Sequence, residues 1–254
     1  MVLAIDIGNT NIVFGCFDGT KILFHERAAT SQRSTDLEYA SVLFTALRLH
    51  NVDPQSIKGA IISSVVPTIT TVMKKAIEKV ADVNVLVVEP GVKTGLSIKT
   101  DDPAQVGSDL AVGAVASMNE YPLPQIVIDF GTATTFSVIS EKREFLGVII
   151  MTGIAVSADA LTSKTAQLPK IAFEAPKKVI GKNTVDSMKS GIMFGTASMI
   201  DGMIERIEDE IGKKCTVIAT GGIAPVIAPI CRSKLIIDED LLLKGLMIIY
   251  NKNI

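Results

Sequence analysis

Apolar residues in the first part of the chain switch between two periods, and the switches mark its elements. Residues 2–6, 12–17 and 21–27 are short apolar and β-branched runs, with Asp18 and Gly19 between the second and third, so three consecutive strands are predicted. Residues 36–49 then set Leu37, Ala40, Leu43, Phe44 and Leu47 on one stripe at helical spacing, opposite a charged face. A strand over 59–65 stopped by Pro67, a helix over 69–80 and a buried strand over 84–89 complete the order βββαβαβ. The second half begins in the same way. Strands over 125–129, 134–140 and 143–150 precede helices over 155–163 and 185–211, a strand over 216–219 that runs into Gly221 and Gly222, and a closing helix over 241–251.

Three strands followed by alternating helices and strands predict an α/β fold with a mixed sheet, and its duplication predicts two similar lobes with a cleft between them. Tyr121, Pro122, Leu123 and Pro124 interrupt the preceding helical pattern, so the division is expected at 1–118 and 119–254.

The duplication extends to one short motif. Asp6, Ile7, Gly8, Asn9 and Thr10 follow the first strand, and Asp129, Phe130, Gly131 and Thr132 follow the corresponding strand of the second half. A glycine in a turn lets backbone approach a phosphate closely, and a nearby carboxylate can hold a cation or ordered water against the phosphate charge. Two such turns facing each other would clamp a nucleotide. Taken singly, each reads as an ordinary Asx-type hairpin turn, and it is the repeat at one-domain spacing that favours the clamp.

Composition narrows the class. The chain has 254 residues, 48% of them hydrophobic, enough for a large core. Mean hydropathy is +0.40, but the longest uncharged stretches, 145–158 and 216–231, fall short of a membrane span and read as buried strands and turns. No membrane association is expected. The start of the chain lacks the pattern of a secretory leader, and a cytoplasmic protein is expected. Cys16, Cys215 and Cys231 lack the spacing of a disulfide framework or thiolate zinc site and are expected to be free buried thiols. His25 and His50 are expected in surface or packing roles. A net charge of −2 without a basic run gives no footprint for nucleic acid, so a small-molecule partner is favoured.

The run of motifs resembles type III pantothenate kinase, within the acetate and sugar kinase, chaperone ATPase and actin superfamily. The resemblance rests on residues 6–11, 106–109, 129–134, 157–161 and 164–169, and continues through Asn183 and Thr184, Ser190 and Gly191, and residues 200–202, 219–222 and 243–246. It implies two lobes of ribonuclease H-like, actin-like ATPase topology and ATP-dependent phosphorylation of the primary hydroxyl of pantothenate in the coenzyme A pathway. By the same resemblance Asp6, Ile7, Gly8, Asn9, Thr10, Asn11, Ile12 and Val13 form the first phosphate turn, and Gly131 and Thr132 the second. Asp129 binds a monovalent cation, potassium or ammonium, Asp109 is the proton acceptor, and magnesium arrives with ATP. Thr100, Gly107, Ser108, Asp109, Leu110 and Thr184 contact pantothenate, and the chain is a homodimer with its pantothenate pocket near the subunit interface.

The chemistry of the residues agrees with these roles. Phosphoryl transfer through a loose transition state needs positioning, charge neutralisation and a group that takes the alcohol proton late. An aspartate with an ordinary pKa of about 3.9 orients the hydroxyl first and accepts its proton afterwards. Asp109 opens the apolar stretch 110–118, so it also reads as an acidic residue stabilising a helix N-terminus. Thr134 and Thr135 read as strand formers, with Thr132 the functional threonine. Gly221 and Gly222 read either as a strand-to-helix turn or as a floor for adenine or ribose. Gly191 and Gly195, four apart on a helix, read as a close-packing surface within the fold or across a dimer.

The substrate motifs depart from the family pattern. Leu110 stands where the family has arginine, Thr100 where it has tyrosine, and Gly147 through Gly153 lack the usual proline. Loss of one charge-assisted hydrogen bond, about 1.5–3 kcal/mol, weakens binding roughly 10- to 100-fold unless compensated. Three readings follow: a pantothenate kinase that holds its substrate through other residues, a nucleotide-binding regulator or pseudokinase, and a kinase for another small alcohol.

Overall fold

The computed structural model describes residues 1–254. Five strands build the first sheet: β1 (Val2–Ile7), β2 (Asn11–Asp18), β3 (Lys21–Ala29), β4 (Gly59–Ser64) and β5 (Val85–Val87). Their spatial order is β3-β2-β1-β4-β5, antiparallel among the first three and parallel from β1 to β5. β1 is buried on both faces because its residues alternate between two cores. Leu3, Ile5 and Ile7 meet α1 (Asp36–Leu49) and α2 (Pro67–Val80), whereas Ala4 joins Val112, Val115, Leu243 and Leu246. These last four lie on α3 (Ser108–Glu120) and α7 (Leu241–Asn251). Asp6, two residues beyond Ala4, therefore ends the strand on the α3 and α7 side.

The second sheet contains β6 (Ser97–Ile98), β7 (Gln125–Phe130), β8 (Ala133–Ile139), β9 (Glu144–Thr152), β10 (Thr216–Thr220) and β11 (Ile236–Ile237). Its order is β11-β10-β7-β8-β9-β6. Read from β9 to β11 this repeats the first sheet strand for strand and direction for direction, with β6 added beside β9. The helices here are α4 (Ile154–Lys164), α5 (Thr184–Ile211) and the single turn α6 (Ala224–Ile227). They cover the face carrying Ile126, Ile128 and Phe130. Asp129 points to the other face.

Local chemistry explains where the long helices begin and end. Thr35 and Glu38 form a reciprocal capping box before α1, Pro67 occupies the first turn of α2, and Asn183 accepts from the Asp186 amide before α5, which stops at Gly212 with φ of 74°.

The α/β architecture with two mixed sheets is as the periodicity predicts, but four readings change. The compact units are Met1–Leu96 with Asp101–Ala116 and Asp240–Ile254, and Ser97–Thr100 with Ser117–Glu239. The closing helix α7 thus packs on the first sheet, because its leucines fit against Ala4 and Ile61, and a division at 118 does not describe it. On α1 the buried face is Tyr39, Ala40, Leu43, Ala46 and Leu47, while Leu37 and Phe44 are exposed at 64% and 49%. The helix is apolar on more than one side, and Arg48 lies over the outward Phe44 ring. The short β6 and β11 carry too few residues for a periodic signal. Of the uncharged stretches, 145–158 runs through β9 into α4, and no helix of the chain is long and apolar enough to cross a membrane.

Candidate active site

The first turn joins β1 to β2. Ile7 pairs with Ile12, and the intervening loop closes through a hydrogen bond from the Gly8 amide to the Asn11 carbonyl at 2.9 Å. Thr30, just past β3, holds the loop from behind: its hydroxyl donates to the Gly8 carbonyl at 2.7 Å and its amide to the Thr10 carbonyl at 2.9 Å. Because the peptide is trans and planar, a Gly8 carbonyl turned toward Thr30 aims the Asn9 N–H the opposite way. Asn9, Thr10 and Asn11 are exposed, Asp6 and Val13 half-buried, and Ile7 and Ile12 belong to the core behind the turn.

The second turn repeats the device in a loop one residue shorter. Phe130 pairs with Thr134, and the Gly131 amide donates to the Ala133 carbonyl at 3.1 Å. Gly153, the residue just past β9, donates its amide to the Thr132 carbonyl at 3.2 Å, the place Thr30 fills in the first sheet. Asp129 is half-buried, opposite Thr135 on one side and Thr220 on the other, while Gly131 and Thr132 are exposed. Thr134 and Thr135 are strand residues with enclosed hydroxyls that have no protein partner, a finer distinction from Thr132 than strand propensity gives.

Neither turn glycine is needed for its backbone angle, since the positive-φ glycines are Gly19, Gly91, Gly95, Gly212 and Gly221. A Cβ on Gly8 would meet only the Asn11 carbonyl at 3.1 Å, and one on Gly131 would reach Ala133 O at an ordinary 3.4 Å. At Gly8 the missing side chain spares a tight contact with the Asn11 carbonyl, and at Gly131 it leaves the outer side of the turn open. Gly131→Ala is expected to change stability by less than about 0.5 kcal/mol, checked by thermal melts.

Gly221 does depend on its conformation. It ends β10 at φ of 91°, and a Cβ there would lie 2.7 Å from both Asp129 Oδ1 and the Phe130 carbonyl. Its closeness to this acidic turn, with a short helical turn following at Ala224, favours the strand-to-helix reading over a nucleobase floor.

Asp109 lies in the first turn of α3, partly buried, and its Oδ1 accepts from the Leu110 amide at 2.8 Å. Burial pushes its carboxyl above the ordinary carboxylate range, against the lowering effect of the amide bonds. The reading of Asp109 as an acidic residue at a helix N-terminus is as expected, and that position steadies the charge that desolvation disfavours. Gly107 makes room for it: a Cβ at that position would fall 2.4 Å from Asp109 Oδ1. The Ser108 hydroxyl is engaged with Ser63 and Ser64 of β4. Ser63 is the parallel partner of Asp6, so the first turn of α3 is fixed beside the end of the strand that carries the first glycine turn.

The remaining expected residues lie elsewhere. Thr100 follows β6, with an enclosed hydroxyl that has no protein partner. Thr184 begins α5 in an open groove of about 800 Å³ with Leu161, Leu168, Lys182 and Asn183. Gly191 and Gly195 face outward with nothing within 4 Å of an added Cβ, which removes packing within the fold as their reason. His25 pairs with Asp240 at 2.7 Å, and His50 pairs with Glu26 and stacks on Phe24. The cysteines are free, with Cys16 buried and the other two half-buried, and burial raises their thiols to about 11 for Cys16 and Cys215 and about 12 for Cys231. Thr30, Gly153 and Ser63 are the residues that pattern reading misses. Superposing the two halves strand on strand would have exposed the first two, since each follows the third strand of its sheet.

Residues 2–206 match the family described as type III pantothenate kinase. The type III pantothenate kinase of Halalkalibacterium halodurans is 42% identical over 254 residues, 100% of both chains, and that of Moorella thermoacetica is 44% identical over 253 residues, again 100% of both. Among solved structures, the activator of 2-hydroxyisocaproyl-CoA dehydratase from Clostridium difficile, with bound ADPNP, aligns with a TM-score of 0.56 at 14% identity, covering 98% of this chain and 93% of that one. At that identity the likeness is one of fold alone, an α/β fold with two mixed sheets.

Proposed function

Because the chain belongs to the type III pantothenate kinase family, we infer that it transfers the terminal phosphoryl group of ATP to the primary hydroxyl of pantothenate, giving ADP and 4'-phosphopantothenate for coenzyme A synthesis. The observation that carries the assignment of roles is Asp109, a desolvated carboxylate tied through Ser108 to the strand beside the first glycine turn. The substrate oxygen forms a bond to the γ-phosphorus as the bond to the β-phosphate oxygen breaks, and ADP leaves. Asp109 orients the hydroxyl and receives its proton as the new bond forms.

The first turn, Asp6 through Val13, and the second, Gly131 and Thr132, hold the phosphates through backbone amides of the two loops, the Gly8 and Gly131 amides themselves being used to close the turns. A divalent cation is required to neutralise phosphate charge. Magnesium enters bound to ATP in this reading. Asp129 is the ligand for a monovalent cation, potassium or ammonium. The chemistry of the donors suits it, since Asp129 Oδ1 and the Phe130 carbonyl converge beside Gly221 and are hard oxygen ligands. When bound there, such a cation would supply positive charge to offset that of the phosphates.

Thr100, Gly107, Leu110 and Thr184 belong to pantothenate recognition, whereas the Ser108 hydroxyl serves the backbone of β4. A homodimer is part of this reading: Val185, Gly191 and Gly195 leave an outward surface on α5 that a second copy would cover. The free thiols suit a cytoplasmic setting.

A coupled assay of ADP release tests the function. Pantothenate is expected to stimulate turnover in the presence of magnesium and potassium, and Asp129→Asn is expected to abolish the potassium dependence while leaving a low potassium-independent rate. No pantothenate-dependent ADP release from pure protein would remove the kinase assignment in favour of a regulatory nucleotide binder. Release with another small alcohol alone would redirect the acceptor.

A further inference from the structure

Ser63 has no surface at all and lies on the last turnward stretch of β4, where it carries a hydroxyl directly after the apolar run Ala60, Ile61 and Ile62. That hydroxyl is 3.0 Å from the hydroxyl of Ser108. The Ser108 oxygen also accepts from the Ser64 amide at 3.2 Å and donates to the Ser64 carbonyl at 3.1 Å. Ser108 has one proton, and it is committed to the Ser64 carbonyl, so Ser63 is the donor in the serine pair. The Ser108 hydroxyl thus has its proton and both lone pairs in use, and every bond runs to two consecutive residues of one strand. A fully satisfied cluster of this kind holds a single geometry, because any shift of the helix start breaks several bonds at once.

We propose that Ser63, acting through the Ser108 hydroxyl, is a positioning residue for the phosphoryl-transfer reaction: it fixes the start of α3 so that the Asp109 carboxylate stands at a set distance from the turn that follows Asp6. Asp6 and Ser63 are register partners on adjacent parallel strands, and Asp109 is the residue next to Ser108, so the series Asp6, Ser63, Ser108, Asp109 joins the phosphate turn to the base through strand pairing and one hydroxyl pair. Gly107 completes the arrangement on the other side by leaving the space that Asp109 Oδ1 occupies. The geometry matters because in-line transfer tolerates little error in the placement of the acceptor. This inference rests on Asp109 being the proton acceptor.

The test is a double-mutant cycle of Ser63→Ala and Ser108→Ala in the full chain, followed by steady-state kinetics and thermal melts. Each single change is expected to lower kcat by about 10-fold, as a sub-ångström misplacement of a reacting group does, with the KM for ATP held within twofold. The double variant is expected to be no worse than the poorer single variant, because both changes remove the same contact. Unchanged kcat in either single variant, or losses that multiply in the double, would overturn the proposal. If Ser63→Ala does not fold, Ser108→Ala, at the half-exposed helix start, carries the same kcat and KM prediction, and unchanged kcat there also overturns it. Asp109→Asn in the same assay separates the two levels. Retained turnover in that variant removes the premise, whereas a dead Asp109→Asn beside a fully active Ser63→Ala removes the positioning role alone.

Discussion

Asp109→Asn is expected to lower kcat by about 10²- to 10⁴-fold while affinity for nucleotide is kept. Asparagine has nearly the same shape and can still accept from the Leu110 amide, so the side chain stays in place. What it loses is the ability to take the alcohol proton. Titration with a non-hydrolysable ATP analogue and single-turnover kinetics would separate binding from chemistry. Undiminished kcat would remove Asp109 from the mechanism.

The raised carboxyl also predicts a pH profile. Turnover needs the ionised form, so kcat/KM is expected to fall on the acid side with a midpoint above the ordinary carboxylate range, and to lose this limb in the variant. The stability sign runs the other way. A carboxyl whose folded pKa lies above its unfolded one favours the folded state at acid pH, below the unfolded value, and that contribution is lost as pH rises through the folded value. At neutral pH the desolvated charge is therefore a net cost. Asp109→Asn is expected to melt at or above the temperature of the parent at pH 7, and a clear drop would contradict the desolvation argument.

The largest expected combined loss of stability and function comes from Gly221→Ala. At φ of 91° alanine is strained by itself, and its Cβ would lie 2.7 Å from the backbone oxygen of Phe130, which cannot swing aside as a side chain can. Strain and overpacking together are expected to cost about 1–3 kcal/mol, read as a lower denaturation midpoint at unchanged slope. The same atom would press on Asp129 Oδ1 at 2.7 Å, so the concentration of potassium needed for half-activation is expected to rise in the folded fraction. Gly202→Ala provides the contrast, at a glycine without a positive φ whose added Cβ would meet nothing within 4 Å. Equal stability of the Gly221 variant and the parent would show that β10 and β7 can separate at this point at little cost.

The order of strands and helices was legible because each is a statement about neighbours in sequence. A continuous apolar run over residues 2–5 records a strand buried on both faces and helical spacing over 185–211 a helix buried on one, and both survive without knowing what covers the element. The same signal could not choose between two apolar sides of α1, where Leu37 and Phe44 fit the period as well as Tyr39 and Ala46 but face outward. Nor could it assign α7, whose leucines read as a core face of either half until they met Ala4 and Ile61.

Asp6, Gly8, Asp129 and Gly131 were found from sequence because a duplicated turn repeats its residue types at the same place in each half. What Thr30 and Gly153 share in supporting those turns is a backbone amide, which every residue but proline possesses, so their identities leave no common trace. Ser63 and Ser108 are ordinary residues whose meaning is their 3.0 Å separation across 45 positions of chain. The amino-acid order by itself determined the local conformations, the repeated strand plan and the candidate carboxylates, since these follow from steric preference and burial period over a few residues. Only the tertiary structure decided which strand end each helix start is bound to, where backbone takes the place of side chain around the two turns, and how far Asp109 is removed from water. Those are properties of distances between segments remote in sequence, and such distances are set by the packing of the whole chain.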